Sequence, residues 1–249
     1  MSISLQLNNG VLAEIKLNEN PPQGMLHWLA QTTNNTKNWS DIAKLGRDFF
    51  EWVQETAKHQ GNNSLASWAE TPIKIFGQAT KATLIPFFIG TTFIAVNLRM
   101  NDPFLDVVGK VLLFMLSSCL FGSITLGIGA LAQQAAIVGF VWYTFALAVQ
   151  IRNLMTVRKL QAAPNNVIQV PVAPMQPLNN QVLQQLIGQQ NKLAMIQVAK
   201  AVASWANAVF SELCPAYLVA NATLSFGSSL LGVYLLHAKE TSQYHFKIL

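Results

Sequence analysis

Charge is scarce in this sequence, and it is missing from the longest apolar stretch. Only 11% of the 249 residues are Asp, Glu, Lys or Arg, whereas 51% are hydrophobic. Soluble domains carry about 25% charged residues. Residues 111 to 151 contain no Asp, Glu, Lys, Arg or His at all. A soluble helix of that length would show a charged face to water, so the composition predicts a membrane protein.

Cysteine is nearly absent, and the known catalytic motifs are missing. Cys119 and Cys214 are too few for a disulfide framework and lie in no metal-binding spacing. The four histidines are scattered, and the chain has no GxSxG, HExxH, Walker or GxGxxG sequence. We therefore expect a protein that is not an enzyme and holds no cofactor or metal.

Positive charge is present but is not concentrated. Sixteen Lys and Arg against eleven Asp and Glu give a net charge of +5, yet basic residues never cluster beyond the pair Arg158-Lys159. Nucleic-acid binding calls for a basic patch or stripe, so we expect no nucleic-acid partner. The basic residues beside the apolar blocks, such as Arg152, Arg158 and Lys159, are explained better as anchors on an anionic lipid surface.

The uncharged stretch is long enough for two membrane crossings. One spanning helix needs about 20 apolar residues, and 111 to 151 offers about twice that number between Lys110 and Arg152. We predict a transmembrane helical hairpin over 105–151, with its turn at 127–129 or at 132–134. Amides are poorly placed in hydrocarbon, which favours Gln133 and Gln134 as the tip.

Small residues four positions apart recur in the predicted spans. This spacing lets two helices approach closely in lipid, where packing rather than hydrophobicity drives association. It predicts closure of the hairpin or contact between copies of the chain. The pairs are Ser118/Gly122, Ser123/Gly127, Ala135/Gly139 and Ser228/Gly232.

The region 1–80 is polar and contains two recognisable patterns. Apolar residues alternate on both sides of Asn9-Gly10, which predicts a β-hairpin over 3–17. A two-stranded hairpin is marginal alone, so it must pack on something or pair with another strand. Residues 40–59 form an amphipathic helix with Phe49 and Trp52 on its apolar face, suited either to a membrane interface or to packing on the rest of the protein.

The rest of the chain alternates between apolar and polar segments. The membrane region 81–151 opens with 82–98. At about 17 residues this segment is at the lower limit for a spanning helix, and it could span, tilt or dip. Four prolines between positions 164 and 177 predict an extended linker over 152–180. An amphipathic helix over 181–212, a transmembrane segment over 213–236 and a polar tail over 237–249 complete the chain.

These elements predict a mainly α, multi-pass membrane protein with a central transmembrane hairpin, flanking amphipathic helices and a small N-terminal β-hairpin. If 82–98 does not cross, all the basic flanks lie on the cytosolic side, as the positive-inside rule requires. Four spans are the alternative. In layout only, with no shared motif, the hairpin region resembles the reticulon-type membrane shapers and the bilobed-hairpin inclusion membrane proteins of chlamydiae.

The functional hypothesis rests on this architecture. A hairpin wedge with amphipathic helices in one leaflet can bend or scaffold a membrane. We therefore expect a protein that shapes an intracellular membrane and recruits partners through its cytosolic regions. Its partners would be the lipid bilayer and either further copies of the chain or another membrane protein. A small oligomeric channel or carrier for a small solute is the alternative, with Gln133 and Gln134 as its candidate polar residues.

Overall fold

The computed structural model describes residues 2–7, 10–18, 36–98, 103–163, 166–171 and 177–248. Asn9, Pro164 and Pro174, which entered the sequence predictions, lie outside these ranges. The described residues form six α-helices, one π-helical turn and four strands. In chain order they are β1 (Ser2–Leu7), β2 (Gly10–Leu17), α1 (Thr36–His59), α2 (Asn63–Val96), α3 (Phe104–Leu120), the π turn (Phe121–Thr125), α4 (Ala130–Ala162), β3 (Ile168–Pro171), α5 (Asn180–Leu213), α6 (Leu218–Thr241) and β4 (Tyr244–Ile248).

The predicted N-terminal β-hairpin is confirmed, and it finds the partner strands that it needs. β1 and β2 are antiparallel, and two further strands extend them into a four-stranded sheet with the order β3-β1-β2-β4. β3 comes from the segment predicted as linker, and β4 comes from the predicted tail. The Asn18 side chain donates to the backbone oxygens of Glu240 and Ser242 at 3.2 and 3.0 Å, which ties the end of β2 to the chain before β4.

The sheet buries one face, as the alternation predicts, with one irregularity. Ile3, Leu5, Ala13 and Ile15 are fully buried. The register between β1 and β2 shifts at Leu5/Gln6, and Val11, beyond that shift, is 46% exposed. A one-residue slip moves a side chain to the opposite face, so the irregularity explains why Val11 leaves the buried set.

Helices α4 and α5 supply the other half of this core. Val157 and Leu160 at the end of α4 and Leu183, Leu186 and Ile187 at the start of α5 pack in one cluster with the four buried sheet residues. Part of the segment 152–180, predicted as an extended linker, is therefore regular structure. Helix α4 continues to Ala162, and residues 168–171 form β3. The apolar residues of that segment have a core to join, which proline density does not reveal.

The central hairpin forms, but its turn is not at the glutamines. The chain reverses at 126–129, where Gly127 has φ of 71°, a conformation that costs glycine little. The backbone N–H of Ile128 donates to the Gly122 carbonyl at 3.0 Å and closes the turn. Gln133 and Gln134 are exposed in the first turns of α4. The preference for 132–134 was wrong because the glycines decide the turn.

Helix α2 begins at Asn63, well before the borderline segment 82–98, and runs without a break to Val96. Asn62 caps it by accepting a hydrogen bond from the Leu65 N–H at 3.1 Å, and Pro72 and Pro86 both lie inside the helix. The borderline segment 82–98 is thus the second half of a helix of 34 residues, about 50 Å long at the usual rise of about 1.5 Å per residue.

Five helices are long and apolar enough to cross a membrane: α2, α3 with the π turn, α4, α5 and α6. They indicate a multi-pass membrane protein. Helix α5 was predicted only as an amphipathic helix over 181–212, so the structure adds a candidate span. Five of its six glutamines lie in its N-terminal half, and its second half is richer in apolar residues, with Lys200 and Glu212 as its charged ones.

The chain divides into two compact units. One contains residues 1–31, 148–199 and 234–249, and therefore the sheet with its core. The other contains 32–147 and 200–233, and therefore α1 to α3, the first half of α4 and the facing parts of α5 and α6.

The sheet limits how often the chain can cross a membrane. Strands of one sheet must lie on one side, because unpaired backbone is not tolerated in hydrocarbon. Three candidate spans, α2, α3 and α4, lie between β2 and β3, and two, α5 and α6, lie between β3 and β4. An even number must cross in each interval. If the hairpin of α3 and α4 supplies two crossings, α2 can cross only together with α1, the other described helix of that interval, which is not itself a candidate span.

This parity predicts the labelling of three single cysteines placed at the exposed residues Lys16, Asn166 and Gln243. With Cys119 and Cys214 replaced by serine, a membrane-impermeant thiol reagent on sealed vesicles should reach all three from the same side. Labelling of Lys16 and Asn166 from opposite sides would contradict the sheet. A fourth cysteine at Asn62, between α1 and α2, then reports whether those two helices cross as a pair.

Candidate functional site

A buried carboxylate joins α1 to the candidate span α6. The Asp48 side chain is fully buried, and Arg47 donates to its Oδ1 from Nε and Nη2 at 3.2 and 2.9 Å. Ser225, on α6, donates to Oδ2 at 3.0 Å, and Ser229 also donates to Oδ2. Lys44 lies 3.5 Å from Oδ2 and donates to the Ser229 hydroxyl at 3.2 Å. Both carboxylate oxygens are therefore satisfied by partners from two helices.

The electrostatics of this cluster keep Asp48 ionised. Burial raises the pKa of Asp48, but the Lys44 ammonium, the hydrogen bond from Ser229 and the Arg47 guanidinium together outweigh burial and leave the pKa below its ordinary value. Burial raises the pKa of Glu51, against the attraction of Arg47. Asp48 thus acts as a permanent hydrogen-bond acceptor at neutral pH, and we assign it a role in joining helices rather than in proton transfer.

Helical spacing explains why the chain builds the cluster. Lys44 and Asp48 are four residues apart on α1, and Ser225 and Ser229 are four apart on α6, so each pair lies on one face of its helix. Aromatic contacts extend the same interface, because the Phe226 ring lies 5.5 Å from the Phe49 ring and stacks on Trp52 at 5.6 Å. Phe49 is 37% exposed. The aromatic face of α1 therefore packs on protein at this point.

A second face of α1 packs on α2. At Gly46 an added Cβ would lie 2.7 Å from the Phe76 ring, so glycine permits a close crossing of the two helices. Phe50 stacks on Phe76 at 5.9 Å and meets Trp68 edge-on at 5.6 Å. The most buried residues of α1 are accordingly Ala43, Asp48 and Ala57, whereas the amphipathic pattern emphasised Phe49 and Trp52.

Hydroxyl groups join the other helices. The Thr91 and Ser117 hydroxyls, both buried, form a hydrogen bond between α2 and α3, and those of Ser204 and Ser228 join α5 to α6. The Trp205 indole N–H donates to Thr144 at 3.1 Å, which joins α5 to α4. In a lipid-facing bundle such bonds are worth about 0.6 kcal/mol on average, so several are needed to hold it.

The central hairpin and α5 enclose a groove of about 420 Å³. Its wall combines apolar residues of α3 and α4 with hydroxyl, amide and carboxylate groups, and it lies wholly within the second unit. The polar lining residues are Ser123, Tyr143, Asn207, Ser211 and Glu212.

The structure brings the predicted packing glycines against neighbouring helices. A Cβ at Gly122 would lie 2.3 Å from Leu131 Cδ1, and one at Gly139 would lie 3.7 Å from Leu116. A Cβ at Gly232 would lie 3.0 Å from the Lys200 ammonium. Gly127 forms the turn itself.

The predicted basic anchors are gathered at the end of α4. Arg152, Arg158 and Lys159 are all exposed, whereas Val157 and Leu160 between and beside them are buried in the core of the first unit. The three cations therefore occupy the outer face of that helical segment. Contact with a lipid surface stays a prediction for them.

Sequence reasoning missed Asp48, Ser225 and Ser229. The available signals were the Lys44/Asp48 pair at helical spacing and two serines one turn apart in an apolar block. Neither signal tells that α1 faces α6, because Asp48 and Ser225 are 177 residues apart in the sequence.

The described residues contain no group of three or more His, Cys, Asp or Glu that could hold a metal ion, and both cysteines are free. Comparisons with models of known protein families, with curated proteins and with solved structures give no match. The function of the protein is therefore inferred from its geometry and chemistry.

We expect replacement of Asp48 by Asn to destabilise the folded protein by about 2 kcal/mol at pH 7, because it leaves Lys44 and Arg47 without the negative charge that they pair with. Thermal unfolding of the purified protein in detergent measures this. The folded-state pKa of Asp48 is lowered, so its stabilisation is present above the unfolded value of about 3.9 and is lost as the pH falls further. The difference in Tm between the wild type and D48N should therefore shrink below about pH 4.

A matched control for D48N is Asp41→Asn on the same helix, since Asp41 is only partly buried and forms no ion pair with the described residues. Its Tm should stay close to that of the wild type. An equal loss of stability in both variants would show that the Asp48 cluster has no special role.

We expect Gly122→Ala to lose most of the about 1 kcal/mol that alanine normally gains over glycine inside a helix, since the added methyl group overlaps the end of the Leu131 side chain, which must move aside. Shortening the neighbour with Leu131→Ala in the same chain should recover part of that loss, which a double-mutant cycle of Tm values measures. Gly129→Ala is the control, because no atom lies within 4 Å of the new Cβ. Strict additivity of the two substitutions would contradict the contact.

Proposed function

We propose that this protein is a non-enzymatic integral membrane scaffold that shapes an intracellular membrane and works together with further copies of itself or with another membrane protein. The bilayer is its principal partner. The observation that carries the proposal is how little of the five candidate spans the chain itself covers.

In the most apolar 18-residue window of each candidate span, only 6% to 17% of the residues are buried. Many large apolar side chains on these helices are exposed, among them Phe93, Val96 and Phe104 at 66%, 78% and 78%. Apolar surface of this extent needs lipid or another membrane-embedded surface to cover it. A chain of this size thus offers much lipid contact, as a scaffold requires.

The central hairpin supports the proposal as a closed wedge. Gly122 lets the end of α3 approach Leu131 of α4 closely, Gly139 lies in ordinary contact distance of Leu116, and the glycine turn at 127 closes the tip. Closed helical hairpins occupy bilayer volume as one body, and their insertion displaces lipid laterally. The hydroxyl and carboxylate bonds between helices keep such a body together where apolar contact alone does not drive association.

Partner recruitment is supported by the sheet. Its two outer strands, β3 and β4, each pair on one side only among the described residues. An edge strand can accept an additional strand from a partner. We place both edges on the cytosolic side, together with the exposed cations Arg152, Arg158 and Lys159, following the positive-inside rule.

A small oligomeric carrier or channel is the second candidate, and the groove beside α5 favours it. Ligand sites commonly measure 300 to 1,000 Å³ and combine apolar walls with a few polar groups, as this groove does. Gln133 and Gln134 are not among its lining residues, so Glu212 and Asn207 replace them as candidate solute contacts.

Reconstitution of the full chain into liposomes at increasing protein density tests the scaffold. We expect vesicle diameter, measured by cryo-electron microscopy, to fall or tubules to form as the density rises. Gly122→Leu, which forces α3 and α4 apart, should weaken this effect, whereas Gly129→Leu, with no atom near the new Cβ, should keep it.

Vesicles that stay unchanged at every density, with full incorporation of folded protein, would overturn the scaffold. An unrelated helical membrane protein at the same density controls for crowding. Release of a trapped small solute from the same vesicles, abolished by Glu212→Gln, would favour the carrier instead.

A further inference from the structure

The groove between the central hairpin and α5 is built for a particular kind of ligand. We propose that it binds a lipophilic organic cation, an ammonium-type charge on an apolar body with no acidic group. The charge would pair with Glu212, and the body would lie against the apolar wall of α3 and α4.

The wall of the groove owes its space to small residues. Ala132, Ala135, Ala136 and Gly139 line it from one helix, and they share a face because they follow helical spacing. Lining residues of α4 run from 132 to 143, which is about 17 Å along a helix. The groove is therefore long enough for an extended apolar body.

The π turn contributes Ser123 and Ile124 to the lining of the groove. π-Helical turns inside helices are frequent at functional sites, because the extra residue shifts side chains away from the regular positions. Here the turn lies between α3 and the hairpin tip, where a regular helix would continue the same packing. It is the one departure from regular helix among the described elements that line the groove.

The charge of the lining residues selects a cation. Glu212 is the single carboxylate among them, and no Lys, Arg or His lines the groove. Glu212 forms no ion pair with any residue that the structure describes, unlike Asp48. A ligand that carries a phosphate or carboxylate would find no positive partner in the groove, whereas an ammonium group would find the Glu212 carboxylate, and the Phe140 and Tyr143 rings offer apolar surface to the body of the ligand.

The position of Glu212 indicates how the ligand would lie. Trp205 contacts Phe140 and Thr144 on α4, and the lining residues that follow Trp205 on α5 share the groove with residues that precede Phe140 on α4. The helices therefore run antiparallel along the groove, and Glu212 lies toward the hairpin turn. The charged end of the ligand belongs there, and its apolar end lies toward Gly139 and Tyr143.

Two ions of equal shape and opposite charge test the proposal. The full chain is placed in nanodiscs of zwitterionic lipid, and binding of labelled butyltriphenylphosphonium and of butyltriphenylborate, each with its charge toward one end, is measured after subtraction of empty nanodiscs. We expect saturable binding of the phosphonium at one ion per chain and no saturable binding of the borate.

Three variants locate the bound ion. Glu212→Gln should weaken phosphonium binding about fivefold, as the loss of a partly exposed ion pair does. Ala136→Phe should abolish binding by filling the groove. The control Asp106→Asn removes an exposed carboxylate of α3 that does not line the groove, and it should leave binding unchanged.

The proposal fails if both ions bind equally or if neither binds saturably. It also fails if E212Q binds the phosphonium as tightly as the wild type and the D106N control do. Size-exclusion profiles and tryptophan fluorescence verify that each variant is folded, and A136F gives an answer that does not depend on the charge of residue 212. Vesicle shape does not enter this measurement, so its result is independent of the scaffold proposal.

Discussion

The packing of this protein depends on one physical constraint: apolar contact does not drive helices together in lipid, because the lipid is equally apolar. Polar bonds and close approach at small residues must then decide which helices meet. The chain uses both devices. Asp48 with Ser225 and Ser229 holds α1 to α6, and Gly122 admits Leu131 where the hairpin closes.

Asp48 shows how a buried charged group can join two helices without a large desolvation cost. An unpaired carboxylate in a buried position would cost several kcal/mol, but Arg47 and Lys44 on the same helix and two serines on α6 satisfy it. The two cations remain partly exposed, at 29% and 42% of their side chains, so their own desolvation is limited. Helix α1 can thus carry many charges and still pack on a candidate span.

The sheet imposes an order on the chain that local pattern does not show. It joins the N-terminal hairpin to a four-residue strand in the middle of the chain and to the C-terminal strand. The two intervals between these strands must therefore contain even numbers of crossings. Under this requirement α2 can cross the membrane only if α1 crosses as well. The distribution of basic residues likewise disfavours a crossing by residues 82–98 alone.

Local patterns were sufficient for elements whose cause is local. The β-hairpin follows from alternation, and the hairpin of α3 and α4 and helix α6 follow from their uncharged length. Small-residue spacing also pointed to Gly122, which lies against Leu131. Local patterns failed where a distant segment decides. β3 looked like a proline-rich linker because its partner is β1, more than 150 residues earlier. Asp48 looked like one charge among several on an amphipathic helix.

The sequence by itself indicates a mainly helical, multi-pass membrane protein, because 41 residues without charge are long enough for two spans and offer no charged face to water. Only the tertiary structure decided which face of α1 is buried, where the hairpin turns, which strands complete the sheet, and which polar residues meet across helices or line the groove. Composition and periodicity act within a segment, whereas hydrogen bonds between distant residues depend on how the segments are arranged in space.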